Sequence, residues 1–158
     1  MKAKFLHARK GFTLVELLIV VAIIAIISGI AIPRLLRAYY QAKDKRVMSV
    51  MRNFAIAIGI YRIDNEMVPN TTDLEELVDI LTEYQGEDIL QLTIRDIWGH
   101  DFYYRRVSYD QYTLKSFGRD GAEGKPASTD GFDPDADIIL ISGVFVWSHE
   151  GTTVIVGK

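Results

Sequence analysis

The chain has 158 residues, 49% of them hydrophobic, with 18 Lys and Arg against 21 Asp and Glu and no cysteine. That length suits one compact domain plus an appendage, and 25% charged with 11% aromatic residues excludes a mostly disordered chain. The missing cysteines exclude disulfides, thiolate zinc sites and cysteine nucleophiles together.

In chain order, residues 1–11 carry Lys2, Lys4, Arg9 and Lys10 and no acid. Phe12 to Ile32 follows as a nearly unbroken apolar run, in which Thr13, Glu16 and Ser28 are the only polar side chains. Twenty-one helical residues at about 1.5 Å each reach roughly 31 Å, the thickness of a bilayer core. The bases precede the run, so the positive-inside rule keeps the N-terminus cytoplasmic and exports everything after Ile32. A secretory signal peptide cut after Gly29-Ile30-Ala31, a plain signal anchor and a buried core helix are the competing readings. Glu16 separates them. A carboxylate inside hydrocarbon costs about 2.5–3.5 kcal/mol on insertion scales, so the reading that explains it must supply a partner.

Lys10-Gly11-Phe12-Thr13-Leu14-Val15-Glu16, continued by Leu17 to Val21, resembles the class III signal of type IV pilins and type II secretion pseudopilins. The resemblance implies that a prepilin peptidase cuts between Gly11 and Phe12 and that the new Phe12 amine is methylated. It also implies that Glu16, fifth in the mature chain, neutralises the N-terminal amine of a neighbouring subunit during filament assembly. An unpaired carboxylate and an unpaired ammonium in an apolar bundle each oppose their own burial.

Gly29 and Pro33 predict a disturbed helix over residues 29–33, because Pro33 has no N–H for the Gly29 carbonyl and its ring crowds that oxygen. The family uses such a proline to bend or locally melt the helix on packing. From Leu35 to Ile63 the period is again helical, with Leu36, Tyr40, Val47, Met51, Phe54, Ile58 and Tyr61 forming the face expected to dock on a globular domain. Between Arg34 and Arg62 lie seven bases and only one acid, Asp44. Between Asp64 and Asp101 lie eleven acids and only Arg95. Nucleic acid is not the expected partner, since the bases lack interleaved stacking aromatics and an acidic domain follows. The basic face is expected to complement the acidic segment, within or between subunits.

Asn65 to Pro69 ends the helix. Thr72 with Glu75 predicts a capping box opening a short second helix with Leu74, Leu77, Val78 and Leu81 on one face, and Gly86 follows. Phe102–Val107 and Gln111–Phe117 predict a hairpin around Ser108-Tyr109-Asp110. A Gly- and Asp-rich loop spans 118–137. Ile138–Trp147 and Thr152–Val156 predict a second hairpin closed by 148–151. The fold class is α+β: a long N-terminal helix in two halves, residues 12–33 and 34–66, and a small antiparallel sheet within 67–158.

Several pieces of this domain are similar to the major pseudopilins of type II secretion. They are Tyr61-Arg62-Ile63-Asp64-Asn65, Val68-Pro69, Asp96-Ile97-Trp98-Gly99 through Arg105, Phe117-Gly118-Arg119-Asp120-Gly121 with Gly124, and Asp135-Ala136-Asp137-Ile138. Two departures stand out: an added Ala127–Pro134 stretch, and a 138–158 extension where the family usually stops. The resemblance implies a pilin-like fold and a calcium ion in the Gly/Asp loop. Its carboxylate ligands would be Asp120 with one or both of Asp135 and Asp137, and backbone carbonyls near Ser116 and Phe117 would assist. The chemistry is consistent, since Ca²⁺ takes six to eight oxygens and a loop this acidic repels itself without a cation. Asp133, Asp135 and Asp137 imitate an EF-hand opening, but Ile138 stands where its glycine is required.

The resemblance further implies a structural role in an inner-membrane-anchored, periplasmic filament. Its partners would be further copies of itself, minor pseudopilins, the prepilin peptidase and an inner-membrane assembly platform. A type IVa pilus subunit and a non-polymerising, membrane-anchored calcium-binding module are the alternatives. Catalysis is not indicated. His7, His100 and His149 lie in unrelated places, and Gly118, Gly121 and Gly124 lack the strand and helix frame of a nucleotide loop.

Overall fold

The computed structural model describes residues 11–85, 94–124 and 132–147. Its elements are helix α1 (Leu14–Asn65), helix α2 (Leu74–Gln85) and strands β1 (Tyr103–Arg106), β2 (Tyr112–Ser116), β3 (Ile138–Ile141) and β4 (Val144–Trp147). This is the expected α+β, pilin-like arrangement, and it divides into two units, residues 1–38 and 39–158. Most of the leader, Gly86, the middle of the Gly/Asp loop, the 148–151 turn and Thr152–Val156 lie outside the described residues.

Helix α1 is continuous through Gly29 and Pro33, so the expected disturbance is not a break. Proline removes a single hydrogen bond here, and the bonds on either side carry the helix across it. Seven residues of α1 are buried, all of them after Tyr39: Asp44, Val47, Met48, Met51, Phe54, Ala57 and Ile58. They follow the predicted stripe from Val47 onward. Tyr40 and Tyr61 are half-buried on it, but Leu36 is exposed. The position where the apolar period skips is filled by Asp44, a buried carboxylate. The helix ends where Asn65 Nδ2 donates to the Tyr61 carbonyl at 3.0 Å and Glu66 takes the left-handed φ of 58° typical of a helix C-terminus.

The N-cap of α2 is Asp73, not Thr72. Asp73 Oδ1 accepts from the Glu75 amide at 2.8 Å, satisfying one of the donors left open in the first turn. Thr71 supports this cap: its hydroxyl accepts the Asp73 N–H at 2.9 Å and donates to Glu76 Oε2. Leu74, Leu77 and Leu81 are buried and Val78 packs beside them, as the period predicts.

The sheet runs in the order β1-β2-β3-β4, every pair antiparallel. Tyr104, Tyr112, Leu114, Ile138 and Leu140 belong to one buried cluster with Met51, Phe54 and Ile58 of α1 and Leu77 and Leu81 of α2. Phe54 meets Phe102 edge-on at 5.9 Å, a favoured aromatic geometry. The buried Tyr104 hydroxyl donates to the Pro69 carbonyl at 2.9 Å.

One element boundary differs from expectation. The run 138–147 is not one strand but a complete hairpin, turned at Ser142 (φ 48°) and Gly143 (φ 87°). Two consecutive positive φ values are what a two-residue type I′ turn requires, and glycine adopts them without a Cβ penalty. The Ser142 N–H donates to the Tyr112 carbonyl at 3.0 Å, tying the turn to β2. The C-terminal hairpin is therefore β3–β4, with a bulge between the Ile139 and Leu140 pairings.

Candidate functional site

Two places hold the residues singled out from the sequence: the start of α1 and the Gly/Asp loop with its surroundings. At the first, Gly11 has open space around it and Phe12 is 83% exposed. Thr13 and Glu16 form a reciprocal cap: Glu16 Oε2 accepts from the Thr13 N–H at 2.8 Å and the Thr13 hydroxyl at 2.9 Å, and the Glu16 N–H donates back to Thr13 Oγ1 at 3.2 Å. The Thr-x-x-Glu spacing that signals this capping box was legible in the sequence but hidden by the intersubunit reading of Glu16. The carboxylate thus has a partner in its own chain. Both contacts use Oε2. Beyond it, α1 holds an 18-residue window of mean hydropathy 2.9, none of it buried, which is long and apolar enough to anchor the chain in a membrane.

The second place is built on the tryptophan turn. Asp96 Oδ1 accepts from the Trp98 N–H at 2.9 Å and the His100 N–H at 3.0 Å, and Oδ2 accepts from the buried Ser116 hydroxyl at 2.7 Å. One carboxylate thereby joins the turn to the end of β2. An Asp two residues before a Trp-Gly turn is an Asx-turn signal, so Asp96 was findable from sequence. The Ser116 side chain is committed to Asp96, which leaves its backbone carbonyl out of that bond. Asp44 of α1 lies in the same neighbourhood at 2% exposure. Burial pushes its carboxyl up to about 7; the Trp98 indole opposes the shift and Asp96 adds to it. Its one sequence signal is that it is the only acid among seven bases.

From Ser116 the chain passes Phe117, whose ring lies 6.3 Å from that of Tyr103, and enters the loop. Gly118 has φ 66°, and a Cβ there would sit 2.8 Å from the Ala136 carbonyl oxygen, so only glycine allows the two loop arms this close. Arg119 crosses between the arms. Its Nε and Nη2 donate to Asp135 Oδ1 at 2.7 Å and Oδ2 at 2.9 Å, and its guanidinium lies 5.2 Å from the Tyr40 ring centre. This two-pronged pair occupies both Asp135 oxygens, and no local pattern announces it.

Asp120 Oδ1 caps its own turn by accepting the Ala122 N–H at 3.0 Å. Asp137, 3% exposed, accepts the Gly124 N–H on Oδ2 at 3.1 Å, while Oδ1 is buried without a hydrogen-bond partner. Burial raises its pKa, Asp120 and Glu123 push the same way, and Gly124 and Lys115 oppose them. Asp137 thus feels the charge of Asp120, while both Asp135 oxygens bond Arg119. Among the described residues no three His, Cys, Asp or Glu side chains converge as a metal cluster.

Comparison with known proteins covers both stretches of the chain. The prokaryotic N-terminal methylation motif matches residues 6–32, and the family model of type II secretion system protein G matches residues 34–138. Among curated relatives, the type II secretion system core protein G of Pseudomonas aeruginosa is 31% identical over 82% of this chain and 93% of its own length. That of Vibrio cholerae is 29% identical over 78% and 92%. The major component of a Thermus thermophilus type IV wide pilus is 48% identical, but over 35% of this chain and 43% of its own length. No solved structure matches. With two thirds of the chain inside one family model and its N-terminus inside the methylation motif, the chain belongs to the type II secretion system protein G family.

Proposed function

We propose that this chain is the major structural subunit of a type II secretion pseudopilus, not an enzyme. It would be cut after Gly11 by a prepilin peptidase, methylated on Phe12 and assembled from the inner membrane, N-terminus cytoplasmic, into a periplasmic filament. That filament would grow from an inner-membrane platform, with minor pseudopilins among its partners, and move folded proteins through an outer-membrane secretin. The observation that carries this reading is Glu16, a carboxylate at the head of an unburied apolar helix within the methylation motif. Oε2 serves the Thr13 cap, leaving Oε1 for the ammonium of a neighbouring Phe12. Once both are buried among apolar helices the pair compensates two otherwise costly charges. Pro33, where α1 lacks one hydrogen bond, is the place for the helix to bend during packing.

Mass spectrometry of the mature chain tests the processing. Methylated Phe12 as the first residue is expected; a chain starting at Ile32 or retaining Met1 would sink the reading. Glu16→Ala should abolish filaments while the exported domain melts unchanged. Deletion of the gene should stop secretion; a surface-motility defect with secretion intact would instead identify a type IV pilus subunit, the reading its Thermus relative favours.

We also propose that the loop takes one calcium ion. The support is the partnerless buried Oδ1 of Asp137, with Asp120 close enough to repel it. Asp137 and Asp120 would hold the ion, with backbone carbonyls near Ser116 and Phe117 completing a shell of oxygens, and Asp135 would stay with Arg119. Calcium would supply the positive charge that makes the buried Asp137 anion tolerable. Chelation should lower the Tm by several degrees and calcium should restore it. In Asp137→Asn that response should vanish; a Tm indifferent to chelation in the unaltered chain would exclude the ion.

A further inference from the structure

The outward face of the second half of α1 is not the polar surface an amphipathic helix should present. Ile56, Ile60 and Ile63, spaced four and three residues apart, form an apolar row 60%, 41% and 78% exposed. It lies on the side away from the buried Val47, Met51, Phe54 and Ile58, and exposed Arg46 and Arg52 flank it toward the N-terminal end. A row like this on a domain already possessing a core marks a contact surface.

The same domain carries a complementary face elsewhere. Glu75, Asp79 and Glu83 project from α2 at spacings of four, all exposed, along about 12 Å of helix. Among the described residues, neither these carboxylates nor Arg46 and Arg52 take part in an ion pair within the chain. The Arg52 guanidinium lies 5.5 Å from the Phe145 ring centre of its own chain, a contact that uses its face and leaves its N–H donors for carboxylates of another molecule. Arg52 stands twenty residues past Ile32, clear of the apolar run, which favours a protein partner over lipid headgroups.

We infer that the Ile56–Ile60–Ile63 face of α1, with Arg46 and Arg52, is the contact for a second copy of this chain, which presents the acidic face of its α2. The inference rests on the filament reading above and names the surface that would set subunit register outside the apolar core. Its logic is one of symmetry. Two different patches of one molecule meeting each other make a head-to-tail contact, and such contacts propagate into open helical polymers unless the rotation happens to close. Desolvating the isoleucine row would favour association, while the paired charges would fix which copy sits where.

The natural chain lacks cysteine, so a cross-link can be placed without background. In the full-length chain assembled in membranes, Arg52→Cys with Asp79→Cys should give, under mild oxidation, a ladder of dimers, trimers and larger species. Either substitution alone should give none. A dimer from Arg52→Cys alone, or filaments visible by electron microscopy with no ladder, would overturn the inference. A natural chain that forms no filament at all would overturn it together with the filament reading. In a second measurement, Asp79→Arg should cut filament yield at least tenfold with the Tm of the domain unchanged, and added Arg52→Asp should restore most of the filaments. Filaments indifferent to Asp79→Arg would also dispose of it.

Discussion

The two halves of α1 are one continuous helix of similar residues put to opposite use. Before Ala38, Leu17, Ile19, Ile23, Ile24, Ile27 and Ile30 all stand more than half exposed. After Tyr39, Val47, Met51, Phe54 and Ile58 are sealed. The first half is apolar around its whole circumference and needs a lipid or helical surround; the second buries one stripe against the sheet and α2 and leaves only the short row Ile56, Ile60 and Ile63 exposed. Burial in this chain is therefore decided by the distribution of apolar residues, not by their number. That is how a single helix can serve membrane and domain in turn.

The largest effect expected is a direct contrast of the halves. Phe54→Ala should destabilise the domain by about 3–5 kcal/mol, by lost burial and a residual cavity. Ile24→Ala should leave the urea midpoint of the domain unmoved in detergent. Equal shifts from both would break the distinction. Next, Asp96→Ala should cost roughly 2–3 kcal/mol, because it strips partners from the Trp98 and His100 amides and the buried Ser116 hydroxyl together. A loss near zero would mean that the apolar stripe holds the second half without the turn.

Asp44 sharpens the comparison through pH. Its folded-state pKa of about 7 lies above the unfolded value near 3.9, so between those values the folded chain holds the extra proton. Stability contributed by this group is complete below about pH 4, falls as pH rises toward 7 and is flat beyond. Asp44→Asn should flatten that slope and raise the Tm by a few degrees at pH 8; an unchanged slope would assign the pH dependence elsewhere. The smallest effect separates the two capping assignments: Asp73→Ala should cost about 1 kcal/mol and Thr72→Ala almost nothing.

Much of this was legible in the residues themselves. The processing motif, the apolar span, the periodicity of α1 after Val47 and the leucine face of α2 all depend on neighbours within a turn or two, so spacing suffices to read them. The Ser142–Gly143 turn was also local, but an apolar run on both sides of it disguised two strands as one. The capping box at Thr13 is equally local, a Thr-x-x-Glu spacing whose acid also lies at the head of an apolar run and so invites a partner from another chain as readily as one from its own.

By itself, then, the sequence determined where the chain leaves water, how its helices are phased and which acids gather in the loop. Only the tertiary structure decided what those acids do. Asp135 answers to Arg119, sixteen residues away, Asp96 to Ser116 across twenty, and Asp44 is buried near Trp98, more than fifty positions on. A carboxylate's role follows from what the fold places around it, since desolvation and the nearest donor set its charge, and neither is a property of its neighbours in the chain.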